Sequence, residues 1–416
     1  MFSYTKALYQ LNIVFPNKQY GGVYALGPLI IYNMVNQRKN WYCERVFLDA
    51  GKITAPLVGF TLQYELDVPK ALAMKPKNGI TFAGGPLVQM YPDILAEHFD
   101  FLLLGDVEAV LDKVLDAYEE DKENFLARIR DIDGVFMTGR TKKTFPTIPI
   151  DDAPYPIVQP FPHTLDDQYV FGKCFLLEIE RGCPFLCKFC AIPVFYNEKL
   201  QFRSLENLTH IIDQGLAINK VNKVVIYAPS FVHPQRKEIL RYLLKKKVRV
   251  SVPSVKAEHI DIETLQLIKA CGQESITIAP ECGQRLRFAL NKKVPDQAYF
   301  DFVCRCNDAE IQKLKLYLMI GLPGMTQEDL EELVTFVKEM QHAFHGTLYL
   351  SLNTFVPKPG TPLENFYFDK KTAEKQALFL RKNLKGLRMK ITSFSSSYKE
   401  GTLLRKQITS SSKFLT

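Results

Sequence analysis

The 416-residue sequence contains no apolar run long enough to cross a membrane. A membrane helix needs about 18 or more consecutive apolar residues, and the most apolar segments, 99–106 and 313–323, are interrupted by charged residues, Gly or Pro. The first 16 residues also lack the basic segment followed by an apolar stretch that is typical of an export signal. We therefore expect a cytoplasmic protein without a membrane span.

Cysteine is too scarce for a disulfide scaffold, with nine in the whole chain. In a reducing compartment, clustered thiols more often bind a metal or take part in catalysis. Positive charge is also thinly spread, since the formal net charge is +8 and the densest basic run is residues 245–247. This pattern indicates solvated helix ends and argues against a nucleic-acid partner. The remaining composition, 47% hydrophobic and 24% charged, is typical of a folded chain of two or three domains.

The first 145 residues alternate apolar strand-like runs with helical stretches, which predicts parallel strands joined by crossover helices. The strand-like runs are 11–16, 43–49, 55–63, 79–86 and 100–106. We expect a doubly wound, Rossmann-like α/β domain over residues 1–145. Gly84 and Gly85 end one of these runs, where glycine either lets a ligand approach the carboxyl edge of the sheet or serves a tight turn. The spacing leaves both interpretations open.

Proline is concentrated in the middle of the chain, with six prolines in residues 146–162. Proline at this density cannot continue a helix or a central strand, so residues 146–170 are predicted to form a linker. Beyond it, six strand-like runs separated by helical stretches predict a partial (β/α)6 barrel over residues 171–392. Residues 393–416 are Ser-rich and basic and are predicted to form a flexible tail.

Cys183, Cys187 and Cys190 form a C-x3-C-x2-C pattern after the first strand of the predicted barrel. On a loop, three thiolates can converge on one inorganic cluster, which favours a [4Fe-4S] cluster with one iron left open. Structural zinc is the main alternative, but it needs four ligands, and the nearest candidates for the fourth are Cys174 and His163. Thiols buried only for packing are the third interpretation.

This pattern resembles the radical S-adenosylmethionine (SAM) enzymes, which carry it on the loop after the first strand of a partial barrel. They usually have an aromatic residue directly before the third cysteine, and Phe189 stands there. The resemblance implies that the open iron chelates SAM and that reduction, by a donor such as ferredoxin or flavodoxin, cleaves SAM to a 5′-deoxyadenosyl radical. The implied reaction is hydrogen abstraction from an unactivated carbon.

Segments over residues 10–365 are similar to the cobalamin-domain subgroup of these enzymes and its uncharacterised relatives. By this resemblance, Glu281 would bond the ribose hydroxyls of SAM and Ser254 would help to hold it. The backbone around Met319 and Gly321 would lie against adenine.

One departure from the family pattern concerns the amino group of SAM. Many members have a GGEP stretch after the second barrel strand, whereas residues 227–230 of this chain are YAPS. Ser230 and main-chain carbonyls are the remaining candidates for holding the amino group.

A second departure concerns cobalamin, which the subgroup resemblance makes a possible cofactor of residues 1–145. The D-x-H-x-x-G pattern that supplies a cobalt ligand in many cobalamin proteins is missing, because residues 15–22, FPNKQYGG, contain no histidine. Radical enzymes of this subgroup often bind cobalamin without that ligand. A domain that keeps the shape without the cofactor is the alternative.

Other candidate residues are weaker. Four cysteines are predicted to be buried thiols: Cys271, Cys282, Cys304 and Cys306. The last two lie on a predicted helix, where a separation of two residues turns the side chains to opposite sides. His233 follows the second barrel strand and is a candidate for the barrel rim. Arg285 and Arg287 could pair with a substrate anion, although solvated helix-face charges are favoured.

The leading functional hypothesis is therefore a radical SAM enzyme, with cobalamin-dependent methylation or rearrangement of a carbon as one outcome. Sulfur insertion into a tRNA base by a methylthiotransferase-like enzyme is a second hypothesis, although such enzymes carry a further cysteine trio upstream. A non-enzymatic module with a structural zinc site is the third. The sequence does not select among small-molecule, lipid and peptide substrates.

Overall fold

A computed structural model describes residues 7–162, 169–196, 199–367 and 369–404. The chain divides into two units, each with its own core. The amino-terminal unit contains residues 1–173, 214–220 and 402–416, and the barrel unit contains residues 174–213 and 221–401. Over the described residues, no helix combines the length and the apolar character needed to cross a bilayer.

The amino-terminal unit is built on a six-stranded sheet with the order β2-β1-β3-β4-β5-β6. Its strands are β1 (Tyr9–Phe15), β2 (Trp41–Phe47), β3 (Leu57–Thr61), β4 (Ile80–Gly84), β5 (Phe101–Leu103) and β6 (Val135–Phe136). The first five are parallel, and β6 pairs antiparallel with β5. The predicted Rossmann-like fold is confirmed, and the antiparallel edge strand is an addition that the sequence pattern did not predict.

Helices cover both faces of this sheet because alternate strand residues point to opposite sides. The helices are α1 (Gln19–Gly22), α2 (Leu26–Gln37), α3 (Val68–Met74), α4 (Pro86–Met90), α5 (Pro92–Ala96), α6 (Leu111–Glu120) and α7 (Phe125–Ile129). On β3, Leu57 belongs to one buried apolar cluster, while Val58 and Phe60 belong to the other. Gly59 lies between them because a Cβ atom there would lie 2.3 Å from the Phe82 ring.

The strand order reverses between β1 and β3, which is where doubly wound folds bind ligands. A hydrogen bond joins the loops at the carboxyl ends of these strands: Asn17 Nδ2 donates to Asp67 Oδ1 at 2.6 Å. The other carboxylate oxygen of Asp67 accepts the backbone N–H of Gln63 at 2.9 Å and of Tyr64 at 3.1 Å. Side chains therefore fix the shape of this edge of the sheet.

The Pro-rich segment runs as an extended strap within the amino-terminal unit. Asn33 of α2 holds it by exchanging two hydrogen bonds with the Val158 backbone, at 2.7 and 3.1 Å. The Asn219 carboxamide accepts the N–H of Gln159 at 2.8 Å, and Gln159 is 1% exposed. The segment between the predicted domains is thus packed and ordered over its described residues.

The barrel unit contains two parallel sheets and a short ribbon. Its strands are β7 (Phe175–Glu178), β8 (Glu180–Arg181), β9 (Gln201–Phe202), β10 (Lys223–Tyr227), β11 (Arg249–Ser251), β12 (Ser275–Glu281), β13 (Lys313–Ile320), β14 (Thr347–Thr354) and β15 (Arg388–Ile391). The sheets have the orders β11-β10-β7 and β12-β13-β14-β15, and a parallel bridge between Val255 and Ile278 joins them. This architecture confirms the predicted partial barrel, to which β15 adds a seventh parallel strand.

The helices that follow these strands along the chain belong to the barrel unit, except at the ends of two. They are α8 (Ile192–Phe195), α9 (Leu205–Asn219), α10 (Arg236–Lys245), α11 (Ile262–Ala270), α12 (Gln284–Ala289), α13 (Asp296–Asp308), α14 (Gln327–Ala343), α15 (Lys370–Asn383) and α16 (Phe394–Thr402). Both α9 and α16 end in residues of the amino-terminal unit. The predicted start of α14 is confirmed, because Thr326 and Asp329 form a reciprocal capping box. The predicted tail differs from the expectation over 394–402, which form α16; residues 405–416 lie outside the described residues.

Candidate cofactor site of the barrel unit

The three clustered cysteines lie on the loop between β8 and β9, which pair antiparallel and close its base. Gly182, directly before Cys183, has a φ of 86°, and a Cβ atom there would lie 1.8 Å from the Lys199 carbonyl oxygen. An L side chain at this position is excluded by both the backbone conformation and the space. Glycine at position 182 is therefore required by the path that the chain takes from β8 into the cysteine loop.

Hydrogen bonds from the chain after α12 hold the cysteine loop in place. The Lys188 N–H donates to the Leu290 carbonyl at 3.0 Å, and Asn291 Nδ2 donates to the Leu186 carbonyl at 2.8 Å. Within the loop, the Cys190 N–H donates to the Cys187 carbonyl at 2.9 Å. The spacing of the thiols is thus set by backbone contacts and not by the thiols themselves.

All three cysteines line one cavity of about 150 Å³, together with residues from the exits of several strands. Four of the residues singled out by sequence line it as well: Phe189, Ser230, Ser254 and Glu281. The sequence analysis missed several other residues of its wall, among them Lys256, Lys292 and Tyr299. Parallel strands that end at one rim bring these distant positions together.

Met319 and Gly321 are not part of the cavity wall. Met319 packs against the same apolar cluster as Phe189, which does line the cavity. The Gly321 N–H donates to the side-chain oxygen of Gln376 at 2.7 Å, and its φ is 70°. The predicted contact of this backbone with adenine stays a prediction.

The chemistry of the thiols suits a metal cluster. Burial raises the pKa of Cys190 to about 11; it also raises that of Cys187, although the ammonium groups of Lys256 and Lys292 act in the opposite direction. A metal that binds these thiols must therefore displace their protons. Among the described residues, no three thiol, imidazole or carboxylate groups form a site for a single ion. In a cubane cluster each cysteine binds a different iron, so three thiols around one cavity fit such a cluster.

Of the two alternative zinc ligands, the structure describes Cys174. Cys174 is fully buried just before β7 and is absent from the cavity wall. His163 lies outside the described residues.

A buried ion pair joins the cavity wall beside the cysteines. Lys292 Nζ lies 2.9 Å from Glu281 Oε1, and the side chains are 7% and 12% exposed. Lys292 also donates to the Ala279 carbonyl. Burial lowers the pKa of Lys292, but Glu281 and Tyr299 raise it more, so that it lies above its usual range. The ammonium group therefore stays charged inside the protein.

The backbone at Glu281 is unusual. Its φ is 68°, a left-handed conformation that is rare for residues other than glycine, and the pairing of β12 with β13 is irregular between Ile278 and Glu281. Such a conformation costs about 1–3 kcal/mol and persists only where the surroundings enforce it. The carboxylate is consequently aimed into the cavity by a strained strand end.

Arg287 is fully buried, which makes the expected solvated helix-face charge wrong for this residue. Its guanidinium donates to the Val294 carbonyl at 2.8 Å, pairs with Asp296 and lies 4.8 Å from the centroid of the Tyr299 ring. Arg285 does behave as expected, since it is exposed and pairs with Asp329. Arg287 therefore supports the wall behind Tyr299.

Glu180 organises the loop after β10, and sequence analysis missed it. Its Oε1 accepts the Ser230 N–H at 2.9 Å, the Ser230 hydroxyl at 3.0 Å and the Phe231 N–H at 2.7 Å, while Oε2 accepts the Val232 N–H at 3.0 Å. The Ser230 hydroxyl is thus engaged, although the residue lines the cavity. The sequence signal that could have identified Glu180 was a second carboxylate so close to Glu178 in a mostly apolar run, FLLEIERG (175–182).

His233 has a structural partner away from the cavity. It is 1% exposed, its Nδ1 accepts the Gln235 N–H at 3.0 Å, and Nε2 lies 2.8 Å from the Arg203 carbonyl oxygen. The proton therefore lies on Nε2, and burial lowers the pKa of the ring. A neutral His233 fastens the loop after β10 to the chain after β9.

The remaining cysteines are mostly buried, as expected. Cys271, Cys282 and Cys306 are buried, whereas Cys304 is exposed, which corrects the prediction for that residue. The two helix positions do face opposite ways, as the periodicity of α13 requires.

In the amino-terminal unit, Gly84 and Gly85 lie at the carboxyl end of β4. The Leu62 N–H donates to the Gly84 carbonyl at 2.9 Å. Gly85 has a φ of 105°, and a Cβ atom there would lie 2.7 Å from the Leu62 carbonyl oxygen. Close packing against the chain's own backbone thus explains Gly85, and a role in binding a ligand stays a prediction.

The chain has relatives among known proteins. Residues 177–337 match the radical SAM superfamily. The chain is 31% identical over 406 residues to the uncharacterized protein MJ0966 of Methanocaldococcus jannaschii, covering 94% of this chain and 87% of that protein. It is 24% identical over 207 residues to the putative methylthiotransferase MJ0865 of the same organism, which covers 47% of this chain and 43% of that protein.

The fold of both units has a counterpart among solved structures. The radical SAM methyltransferase TsrM from Kitasatospora setae, solved with cobalamin and a [4Fe-4S] cluster bound, superposes with a TM-score of 0.65 at 15% identity. The match covers 85% of this chain and 77% of that one. With its cysteine loop, its partial barrel and its relationship to MJ0966, the chain belongs to the radical SAM superfamily.

Proposed function

We propose that this protein is an enzyme that cleaves SAM reductively and uses the resulting radical to abstract hydrogen from an unactivated carbon of its substrate. The observation that carries the proposal is the single cavity in which the three cysteines meet the Glu281–Lys292 pair at the carboxyl ends of the strands. When bound there, a reduced [4Fe-4S] cluster supplies the electron that breaks a carbon–sulfur bond of SAM.

Each residue of the wall then has a defined task. Cys183, Cys187 and Cys190 hold the cluster, and Glu281 accepts hydrogen bonds from the ribose hydroxyls. Lys292 is a positioning residue, because its ammonium group fixes the Glu281 carboxylate.

The N–H groups of the SAM amino group need hydrogen-bond acceptors, since they donate. The Ser230 hydroxyl already donates to Glu180, so main-chain carbonyls of residues 227–230 are the better candidates. Ser254 lines the cavity and is proposed to hold SAM from the neighbouring strand exit.

Anaerobic reconstitution tests the proposal directly. Iron, sulfide and bound SAM are measured on the full chain, followed by dithionite reduction and quantification of 5′-deoxyadenosine. Cys187→Ala should lose cluster iron and 5′-deoxyadenosine, whereas Cys304→Ala, at an exposed thiol outside the cavity, should retain both. A wild-type protein that carries the cluster but forms no 5′-deoxyadenosine contradicts the proposal. Zinc without sulfide selects the structural zinc module instead.

Cobalamin is a second proposed cofactor. It is supported by the likeness of fold to TsrM and by the reversal of strand order at β1 and β3, where doubly wound sheets bind ligands. Incubation of the full chain with hydroxocobalamin and gel filtration should leave corrin absorption and one cobalt per chain. If cobalamin instead separates from the protein on the column, the amino-terminal sheet does not bind cobalamin.

Sulfur insertion by a methylthiotransferase-like activity remains a weaker hypothesis. The match to MJ0865 spans less than half of either chain. Domain boundaries at 145, 170 and 392, a ferredoxin or flavodoxin donor and a cytoplasmic location also stay proposals.

A further inference from the structure

The barrel unit carries a polar face beside the proposed cofactor site. Strands β12 to β15 pair in register, which places Thr277 next to Lys315, Lys315 next to Tyr349, and Tyr349 next to Arg388. A second row at a higher level of the sheet contains Tyr317, Ser351 and Lys390. Because paired residues of neighbouring parallel strands point to the same side, both rows lie on one face.

The other face of the same sheet is a conventional core. Leu314, Leu316, Leu318 and Ile320 alternate with the polar residues of β13, and all are 0% exposed. In closed barrels the inner face is filled by bulky branched side chains. Here the polar face, which is the inner face of the partial barrel, instead carries three partly exposed residues, Lys315, Tyr317 and Tyr349. It also carries exposed Arg388 and Lys390. Such residues do not build a core, and they suit a face that receives a ligand.

This face continues into the cavity with the cysteines. Ala279 lies two residues after Thr277 on β12, hence on the same side, and it lines the cavity. Strands lie about 4.8 Å apart, so β15 is about 14 Å across the sheet from β12. A molecule that reaches from the cavity to Lys390 therefore spans roughly 10–15 Å.

The charges on this face are of one sign. Among the described residues, Lys315, Arg388 and Lys390 form no ion pair with a carboxylate. Two of them lie over tyrosine rings: Lys315 Nζ is 5.0 Å from the Tyr317 centroid, and the Arg388 guanidinium is 5.7 Å from that of Tyr349. Cations held in this way can be shared with an anionic ligand, because a ring does not neutralise their charge.

We propose that this face binds an anionic group of the substrate, a carboxylate or a phosphate, through Lys315, Lys390 and Arg388. The inference rests on the proposed function and gives it a substrate class: an elongated anion whose charged end lies roughly 10–15 Å from the carbon that reacts. Charge-assisted hydrogen bonds hold such a group more strongly than neutral ones.

Lysine modification tests this inference without any variant. The reconstituted full chain is acetylated with limiting reagent at constant ionic strength, with pyrophosphate as the phosphate probe, citrate as the carboxylate probe, or sodium chloride alone. Mass spectrometry follows Lys315 and Lys390, with exposed Lys245 on α10 as the internal control. We expect at least one probe, at a concentration about nine times its Kd, to slow modification of the two barrel lysines about tenfold and to leave Lys245 unchanged.

Protection by pyrophosphate alone assigns a phosphate, by citrate alone a carboxylate, and by both a general anion site. A calorimetric titration with the effective probe should then show binding to wild type and about tenfold weaker binding to the double variant Lys315→Met/Lys390→Met. The control is the double variant Lys245→Met/Lys338→Met, which removes the same charge from exposed helix positions. Its affinity for the probe should equal that of wild type. Absence of protection by either probe overturns the inference. Since 5′-deoxyadenosine formation is measured separately, that result is distinguishable from failure of the proposed enzyme activity.

Discussion

Replacing Lys292 with methionine tests the ion pair on which the geometry of the cavity depends. The substitution keeps an apolar stem of similar length but removes the only cation within hydrogen-bonding distance of Glu281 among the described residues. It also removes the hydrogen bond to the Ala279 carbonyl. A buried carboxylate without its partner is left in the wall.

The expected loss of unfolding free energy is about 3–5 kcal/mol, the usual cost of removing one member of a buried pair. For a unit of this size, each kcal/mol lowers the melting temperature by about 2–4 °C, so the predicted drop is about 6–20 °C. Differential scanning calorimetry of the apoprotein measures it. Lys293→Met is the matched control, because the neighbouring lysine is exposed and such substitutions usually change stability by less than about 0.5 kcal/mol.

A double-mutant cycle separates the pair from the packing. Glu281→Gln in the Lys292→Met background removes the unpaired charge, so the double variant should recover part of the loss, with a coupling free energy of about 0.5–3 kcal/mol. Lys292→Met alone should also weaken SAM binding to the reconstituted protein, measured by equilibrium dialysis. Equal melting temperatures of wild type and Lys292→Met would refute the assignment of this pair as a structural and positioning element.

The same pair predicts a pH dependence. Because the folded pKa of Lys292 is raised above its ordinary value of 10.5, folding favours the protonated form, and the stabilisation is fully present below that value. It is lost as the pH rises above it. The difference in melting temperature between wild type and Lys292→Met should therefore be constant from pH 6 to 9 and shrink above about pH 10.5.

Three further substitutions test other parts of the site and its scaffold. Gly182→Ala should displace the cysteine loop, since its Cβ atom would lie 1.8 Å from a carbonyl oxygen, and iron per chain after reconstitution should fall well below that of wild type. Glu180→Gln should keep the three bonds to Oε1 and lose the one to Oε2, costing about 1.5–3 kcal/mol in urea unfolding; a loss near zero would contradict its role in ordering the loop after β10. Asp329→Asn should cost about 1–2 kcal/mol by weakening the α14 cap. Burial raises the pKa of Asp329, but hydrogen bonds from Arg285 and Thr326 hold it below its usual value. The stabilisation by the Asp329 carboxylate should therefore be present above about pH 4 and vanish as the pH falls further. A difference in unfolding free energy between wild type and Asp329→Asn that does not change with pH would be inconsistent with this.

Several features of the site were beyond pattern analysis because they depend on contacts between distant segments. Glu180 lies 50 residues before Ser230 and accepts a hydrogen bond from the Ser230 hydroxyl. Arg287 lies on α12 between Leu286 and Phe288, and only its contacts with Tyr299 and Asp296 show that it is buried. Periodicity assigns a side chain to one face of a helix, but it does not say what covers that face.

The sequence by itself determined the alternation of strands and helices, the partial barrel and the C-x3-C-x2-C loop, because these depend on local periodicity and on spacing along the chain. The reason for the glycine before Cys183, the nearby carbonyl of Lys199, is visible only in the structure. The tertiary structure alone decided that Lys292 meets Glu281 beside the cysteines and that Lys315, Tyr349 and Arg388 form one row. Strand register sets the row, and register follows from the packing of the whole sheet, whereas the packing of the loop after α12 against the end of β12 sets the ion pair.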